Sequence, residues 1–283
     1  MGRIITGGAG PLPATADLVI VGGGIAGAAD AFFLGRYGLS AVVLERAPQL
    51  ASLTTAQAVA CFRGQWDDAN YAALVLPSIA FYEAFEAETG LDGWGIGLRQ
   101  QGWLFLTAAP DGPAACGRFV EATRSFGVLD SELLVGDEIR RRFPWVAERI
   151  TAATFRARDG WVSPYEVVHG LARASAAEFF PGTEALEILV DGGRVTGVRT
   201  GQGAIATPRV VVSAGPFARR LAATAGFDLP VTMVRHHRAM VSPRPEIPAD
   251  GPMTLDVDTH AYWRPGRRRV PGHGPGRGRY RTG

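Results

Sequence analysis

The sequence predicts an α/β chain in which a nucleotide-binding βαβ start is interrupted by mixed α/β material and later resumed. Three observations predict it. Gly22, Gly24 and Gly27 form a G-x-G-x-x-G run between an apolar strand pattern and an amphipathic helix pattern. A long stretch of mixed helix and strand patterns follows. The chain then returns to a helix, a three-stranded meander and a buried strand with glycine at its tip. Uninterrupted βαβ units would build a plain doubly wound sheet, so the insertion implies a second, interleaved domain with an antiparallel or mixed sheet.

The first 16 residues read as a flexible lead, without the apolar core of a secretory leader. Leu18 to Val21 is a short apolar strand, an amphipathic helix runs to about Gly38, and Ala41 to Leu44 is a second strand ending in Glu45. In such a Rossmann-type start Gly22 permits the tight turn and Gly24 lets a pyrophosphate approach the backbone. Gly27 lets the helix pack on the sheet. The helix N-terminus, with Ile25 and Ala26, offers N–H groups to phosphate. Glu45 is placed to accept hydrogen bonds from ribose hydroxyls and would repel a 2′-phosphate. The motif specifies a dinucleotide and does not choose between FAD and NAD.

Ser52 to Arg63 is a Ser/Thr-rich turn leading into a helix. Asp67 to Thr89 is helical, with a kink expected at Pro77. Leu98 to Thr107 alternates as a strand, with Gly102 at a turn or bulge, and helices follow at Pro113 to Phe126 and Glu138 to Phe143. Ser163, Pro164 and Glu166 form a capping box that opens a helix running to about Phe180. The meander covers Glu184 to Val190, Arg194 to Thr200 and Ala204 to Thr207, and Val210 to Ser213 is the buried strand. A helix follows Gly215, and Val231 to Val241 and Met253 to Trp263 are two further strands.

Composition narrows the function. The chain has 283 residues and 47% hydrophobic content, which suits a globular protein with a sizeable core. No apolar run is long enough to span a bilayer. All 29 basic residues are Arg, and six of them follow Arg264. The body therefore holds 23 basic against 27 acidic residues, so no nucleic-acid partner is expected. Cys61 and Cys116 match no metal or redox spacing, and a reducing, cytoplasmic setting is the default.

The ordered set DLVIVGGGIAG with Glu45, SLTTAQAVACFRGQ, DGWVSP with its helix and meander, and PRVVVSAGPFARRLA resembles the D-amino-acid oxidase superfamily of FAD-dependent oxidoreductases. The nearest resemblance is to its sarcosine oxidase and glycine oxidase branch, over about Asp17 to Arg264. It implies FAD-binding parts at 17–90 and 153–226, and substrate-domain parts at 91–152 and 227–264. Gly22, Gly24 and Gly27 would hold the pyrophosphate, and Glu45 the adenosine ribose, with Arg46 beside it. Thr54 and Thr55 match the turn contacting phosphate and flavin, Ala185 the adenine-binding backbone, and Gly215 the strand end that closes over the cofactor. Arg63 matches an arginine near the flavin and would suit a substrate carboxylate, a surface or structural role being the alternative. Tyr262 sits where relatives carry an aromatic residue, in a strand whose same face would carry His260. His236 and His237 read as structural. A non-covalent flavin is expected, because Thr54 and Thr55 stand where some relatives carry a linking His. The implied activity is oxidation of a small amine or amino acid by hydride transfer to the flavin, followed by imine hydrolysis. The alternatives are an inactive remnant of the fold and an NAD-linked reductase.

The Arg/Gly/Pro-rich stretch 265–283 breaks the pattern. It reads as a disordered tail after a frame shift near Pro265, so that the C-terminal part of the fold is incomplete. The competing reading is a genuine polyanion-binding tail.

Overall fold

The computed structural model describes residues 1–5 and 10–266. Most of the tail, including its expected disorder, lies outside the described residues. In chain order the elements begin with β1 (Arg3–Ile4), β2 (Leu18–Val21), α1 (Ile25–Gly35), β3 (Ala41–Glu45), α2 (Thr54–Gln57) and β4 (Cys61–Phe62). There follow α3 (Ala69–Glu83), α4 (Phe85–Thr89), β5 (Trp103–Thr107), α5 (Gly112–Ser125), β6 (Glu132–Val135), α6 (Asp137–Arg142), β7 (Ala152–Arg156) and β8 (Gly160–Trp161). The last are α7 (Pro164–Ala174), β9 (Glu178–Pro181), β10 (Ala185–Asp191), β11 (Arg194–Thr200), β12 (Gly203–Ala206), β13 (Val210–Val212), α8 (Ala218–Thr224), β14 (Met253–Asp256) and β15 (Tyr262–Trp263). The chain divides into two compact units. The first comprises Met1–Cys61, Pro77–Arg99 and Trp161–His237, and the second Phe62–Leu76, Gln100–Gly160 and the chain from Arg238. The second unit thus also takes residues from within the stretch expected to bind the nucleotide.

The first unit is built on a five-stranded sheet in the order β1-β9-β3-β2-β13, every pair parallel. Its central strands are apolar throughout because both faces are covered. Val19, Val21, Val42 and Leu44 pack with Ile188, Val198 and Ile205 of the antiparallel meander β10-β11-β12. The buried stripe of α1 (Ala28, Ala31, Phe32) and the buried residues of α7 (Val167, Val168, Leu171) belong to the same unit.

Five expectations are corrected here. The lead is not loose at Arg3–Ile4, which forms the sheet edge beside β9, with Arg3 paired to Glu178 at 3.0 Å. The helix from Pro164 stops at Ala174, because the Ser175 hydroxyl accepts the Ala177 N–H at 3.2 Å and turns the chain into β9. Only half of the capping box forms. The Ser163 hydroxyl accepts the Glu166 N–H, but the Ser163 N–H is taken by the Ile96 carbonyl at 2.8 Å. Val231 to Val241 is not a strand. It finds no ladder partner among the described residues, and Met233, Val234, Met240 and Val241 are exposed. At Pro77 helix α3 continues, and the first break falls at Ala84.

The second unit carries a mixed five-stranded sheet, β15-β14-β5-β7-β6, in which only β14 and β5 run parallel. One face presents Leu104, Leu106, Ala153, Phe155 and Leu134 to Ile139, Phe143, Val146 and Ile150, with Trp263 packed against them. Met253 to Trp263 is a hairpin rather than one strand, and His260, at φ 58°, lies in its turn, so it does not share a strand face with Tyr262. Asp256 holds that turn. Its carboxylate accepts the N–H groups of Asp258 and Thr259 and a bond from Arg149 at 3.1 Å. Burial alone would raise its pKa, but these donors outweigh burial and hold it below the ordinary carboxylate value. The stabilisation is therefore present above the unfolded-state pKa and lost as pH falls through the lowered folded value. Asp256→Asn is expected to flatten the acid limb of melting temperature against pH. Superimposable acid limbs in mutant and parent would contradict this.

Candidate cofactor cleft and substrate-side face

In the first unit a cleft of about 260 Å³ opens at the carboxyl ends of β2, β3 and β13. Ligands of open parallel sheets bind at such strand ends. Gly22, Gly24, Ile25 and Ala26 line its floor where β2 passes into α1. The helix has no side-chain cap of its own, Gly24 being the N-cap. The Ile25 N–H donates instead to the Thr55 hydroxyl at 3.1 Å. Apart from the Ile25 N–H, the N-terminus of this eleven-residue helix offers its dipole and first-turn N–H groups to an anion.

The glycines differ in what they permit. At Gly22 φ is 118°, and a Cβ would stand 2.3 Å from the Ser213 carbonyl oxygen. At Gly27 a Cβ would stand 1.9 Å from the Gly22 oxygen, so this residue sets the contact of helix with strand and does not line the cleft. At Gly24 the nearest atom is the Thr55 hydroxyl at 3.0 Å, which leaves that backbone open on the cleft side.

Glu45 ends β3 at the cleft wall, 8% exposed. Its carboxylate accepts the Gly23 N–H at 2.8 Å and the Ala47 N–H at 2.7 Å. Two acceptor sites are used and two remain for a ligand hydroxyl. Arg46 lies over the Phe217 ring at 3.7 Å, an intramolecular cation–π contact at the cleft edge. Thr54, Thr55, Ala185 and Gly215 complete the expected set, and all line the cleft. Phe217, Arg220 and Leu186 line it as well and were not singled out in the sequence. The Gly-Pro-Phe turn after β13 is the signal that points to Phe217.

The second unit places Arg63 and Tyr262 on one sheet face. The Arg63 guanidinium lies 3.7 Å from the Trp66 ring centroid, 4.9 Å from that of Phe105 and 5.5 Å from that of Trp103. The register aligns Phe105 with Leu255 and Leu255 with Tyr262, so all three point to the same side. Tyr262 is thus two strands from Phe105, roughly 10 Å away, and half exposed at 48%. Burial pulls the Arg63 pKa down, opposed by the fields of Asp159 and Asp67, and among the described residues Arg63 forms no ion pair. His236 and His237 lie in the exposed segment after α8. Neither Cys61 nor Cys116 is in a disulfide, and burial followed by the field of Asp258 pushes the Cys116 thiol up. Among the described residues no group of His, Cys, Asp and Glu is placed to hold a metal ion, and no helix is long and apolar enough to cross a membrane.

A parallel sheet with a glycine turn into a helix N-terminus at its strand ends defines a dinucleotide-binding class of fold. Comparison with known proteins makes this particular. Residues 17–280 match the model of the family described as FAD dependent oxidoreductase, and the chain belongs to that family. It is 30% identical over 265 residues to human mitochondrial sarcosine dehydrogenase, covering 90% of this chain and 28% of that protein. The chain therefore spans less than a third of that relative. Among solved structures it superimposes on glycine oxidase from Geobacillus kaustophilus with a TM-score of 0.67 at 28% identity, over 75% of this chain and 59% of the other. It superimposes on L-proline dehydrogenase from P. horikoshii with a TM-score of 0.75 at 24% identity, over 89% and 67%. The latter shows the shared fold.

Proposed function

We propose that the chain binds FAD non-covalently in the cleft and belongs to an oxidoreductase for a small amine or amino acid that bears a carboxylate. The observation that carries this reading is the N-terminus of α1, which has no side-chain cap from its own N-cap Gly24, with Glu45 fixed at one side of it and the Thr54–Thr55 turn at the other. That donor set fits a dinucleotide: helix and glycine N–H groups for the phosphates, a carboxylate for ribose hydroxyls, and the Ala185 strand for the adenine. Gly22, Gly24, Ile25 and Ala26 would face the pyrophosphate. Thr54, Thr55 and Gly215 would lie toward the flavin end, and Arg46 beside the ribose.

FAD, when bound, supplies the hydride-accepting chemistry that amine oxidation requires. The chain supplies binding and orientation. Arg63 would clamp the substrate carboxylate through its planar fork. Its lack of an ion pair among the described residues supports that role, because a carboxylate ligand would supply the missing counter-charge. Tyr262 would border the substrate from the same sheet face. The partner is then a small molecule, and a cytoplasmic setting is part of the proposal.

The purified protein is expected to show flavin absorbance, directly or after incubation with FAD, and to release the flavin on acid precipitation. Absence of flavin absorbance under both conditions overturns the proposal, and flavin that stays with the precipitate overturns the non-covalent part. Turnover of NADH without flavin would point to an NAD-linked reductase.

A further inference from the structure

Residues 63–66 carry Arg63 across the sheet of the second unit, and a buried polar network ties them down. Gln65 and the Asp159 side chain are both 0% exposed. The Gly64 N–H donates to Asp159 Oδ1 at 2.7 Å, and Gln65 Nε2 donates to the Trp103 carbonyl at 3.0 Å and to Asp159 Oδ2 at 3.3 Å. The Ser131 hydroxyl donates to Gln65 Oε1 at 3.4 Å. Arg156 closes the network, with Nη1 on Asp159 Oδ1 at 2.6 Å and Nε on Asp130 Oδ1 at 2.7 Å. A Cβ at Gly64 would come within 2.6 Å of Arg156 Nη1, so the loop backbone lies directly on the ion pair. Trp66 Nε1 donates to the Arg63 carbonyl at 3.0 Å, which brings the indole under the guanidinium.

A buried, paired carboxylate is a costly way to hold a loop, since an apolar contact would stabilise as much without the desolvation. What the network adds is rigidity, because each bond has a defined direction. The group whose position it defines is the Arg63 guanidinium, which among the described residues has no hydrogen-bonded partner of its own to hold it.

We propose that Asp159 is a positioning residue for Arg63, fixing Gly64 and Gln65 so that the guanidinium rests on Trp66 with its fork open to a substrate carboxylate. This rests on the reading of Arg63 as the carboxylate clamp. Arg156 opposes the rise that burial gives the Asp159 pKa and holds the carboxylate in place, and Gln65 carries the constraint to strand β5.

The test compares N-methylglycine with N-methylethylamine, which has a methyl group in place of the carboxylate. It also measures the dissociation constant of propanoate by tryptophan fluorescence, which requires no turnover. Asp159→Ala is expected to lower the preference for N-methylglycine and to weaken propanoate on the order of tenfold, the scale of a misplaced clamp, with N-methylethylamine turnover and flavin content retained. Asp159→Asn keeps an acceptor for the Gly64 N–H and should fall between mutant and parent. In an Arg63→Leu background Asp159→Ala should change neither readout. Equal losses on both amines, or the same weakening of propanoate with and without Arg63, would overturn the inference. If Arg63→Leu alone leaves the preference and propanoate binding unchanged, the clamp reading itself fails, and the inference with it. Should Asp159→Ala not fold, Asp159→Asn and Gln65→Met carry the same comparison.

Discussion

Gly27→Val is expected to produce a protein that unfolds at markedly lower temperature and retains no flavin. The branched side chain would have to occupy space where even a Cβ stands 1.9 Å from the Gly22 oxygen and 3.3 Å from an Ile20 methyl group. Both neighbours are fixed. Gly22 is bonded to the Leu44 carbonyl at 2.8 Å, and Ile20 is fully buried in β2. Helix α1 must then move off the sheet, at a cost of about 3 kcal/mol or more. Gly24→Ala is the informative comparison, because its Cβ would meet only the Thr55 hydroxyl, at 3.0 Å. It should leave the melting temperature close to the parent's while weakening FAD, since the methyl group would project where the proposed pyrophosphate site lies. Calorimetric melting and flavin titration of both variants separate the two roles. A Gly27→Val protein that melts like the parent would refute the packing argument.

Arg156→Leu is the second large effect, and it acts on stability. The Arg156 side chain is 5% exposed and lies between Asp130 and Asp159. Burial disfavours its charge, but the bonds and fields of the two carboxylates outweigh burial and raise its pKa. Burial likewise pushes Asp159 up, against Arg156, the Gly64 N–H and Gln65. Removing the cation leaves Asp159 without its counter-ion, and breaking a buried pair on one side costs roughly 3–5 kcal/mol. Denaturant melts should show this loss. The double variant Arg156→Leu with Asp159→Asn should recover part of it, because the stranded charge is gone. A single variant as stable as the parent would show that the pair adds nothing.

The βαβ part of the cleft was legible in the sequence because its elements are local. Strand, glycine turn, helix and acid follow one another within Leu18 to Glu45, and their periodicities and turn residues are self-contained. The meander was legible for the same reason, its turns being marked by Asp191-Gly192-Gly193 and Gly201-Gln202-Gly203. What was misread depended on partners distant in the chain. The helix reading runs on to Phe180, yet Glu178–Pro181 becomes β9 because the edge of β3 is there to pair with it. Val231 to Val241 has strand-like residues and no ladder to join. Strands β6 and β7 are four and five residues long and carry little pattern of their own. The network around Asp159 was invisible because it exists only once the β5–β7 register sets Trp103 opposite Arg156. Tyr262 and Arg63 were singled out separately, and their common sheet face follows from pairing alone.

Each unit completes its sheet with a strand from late in the chain. Val19 pairs with Val210, and Trp103 pairs with Met253. Neither sheet can close until those late strands have been made, so on the ribosome β2 and β5 emerge with an open parallel edge. Closing such long loops pays its entropy before any contact repays it, which makes folding slow in proportion to contact order. The first unit, whose last sheet strand is β13, can close first, while β5 waits for β14. During that interval the exposed strand edges favour pairing with other chains, so yield in the cell should depend on synthesis rate and chaperone supply as much as on native stability.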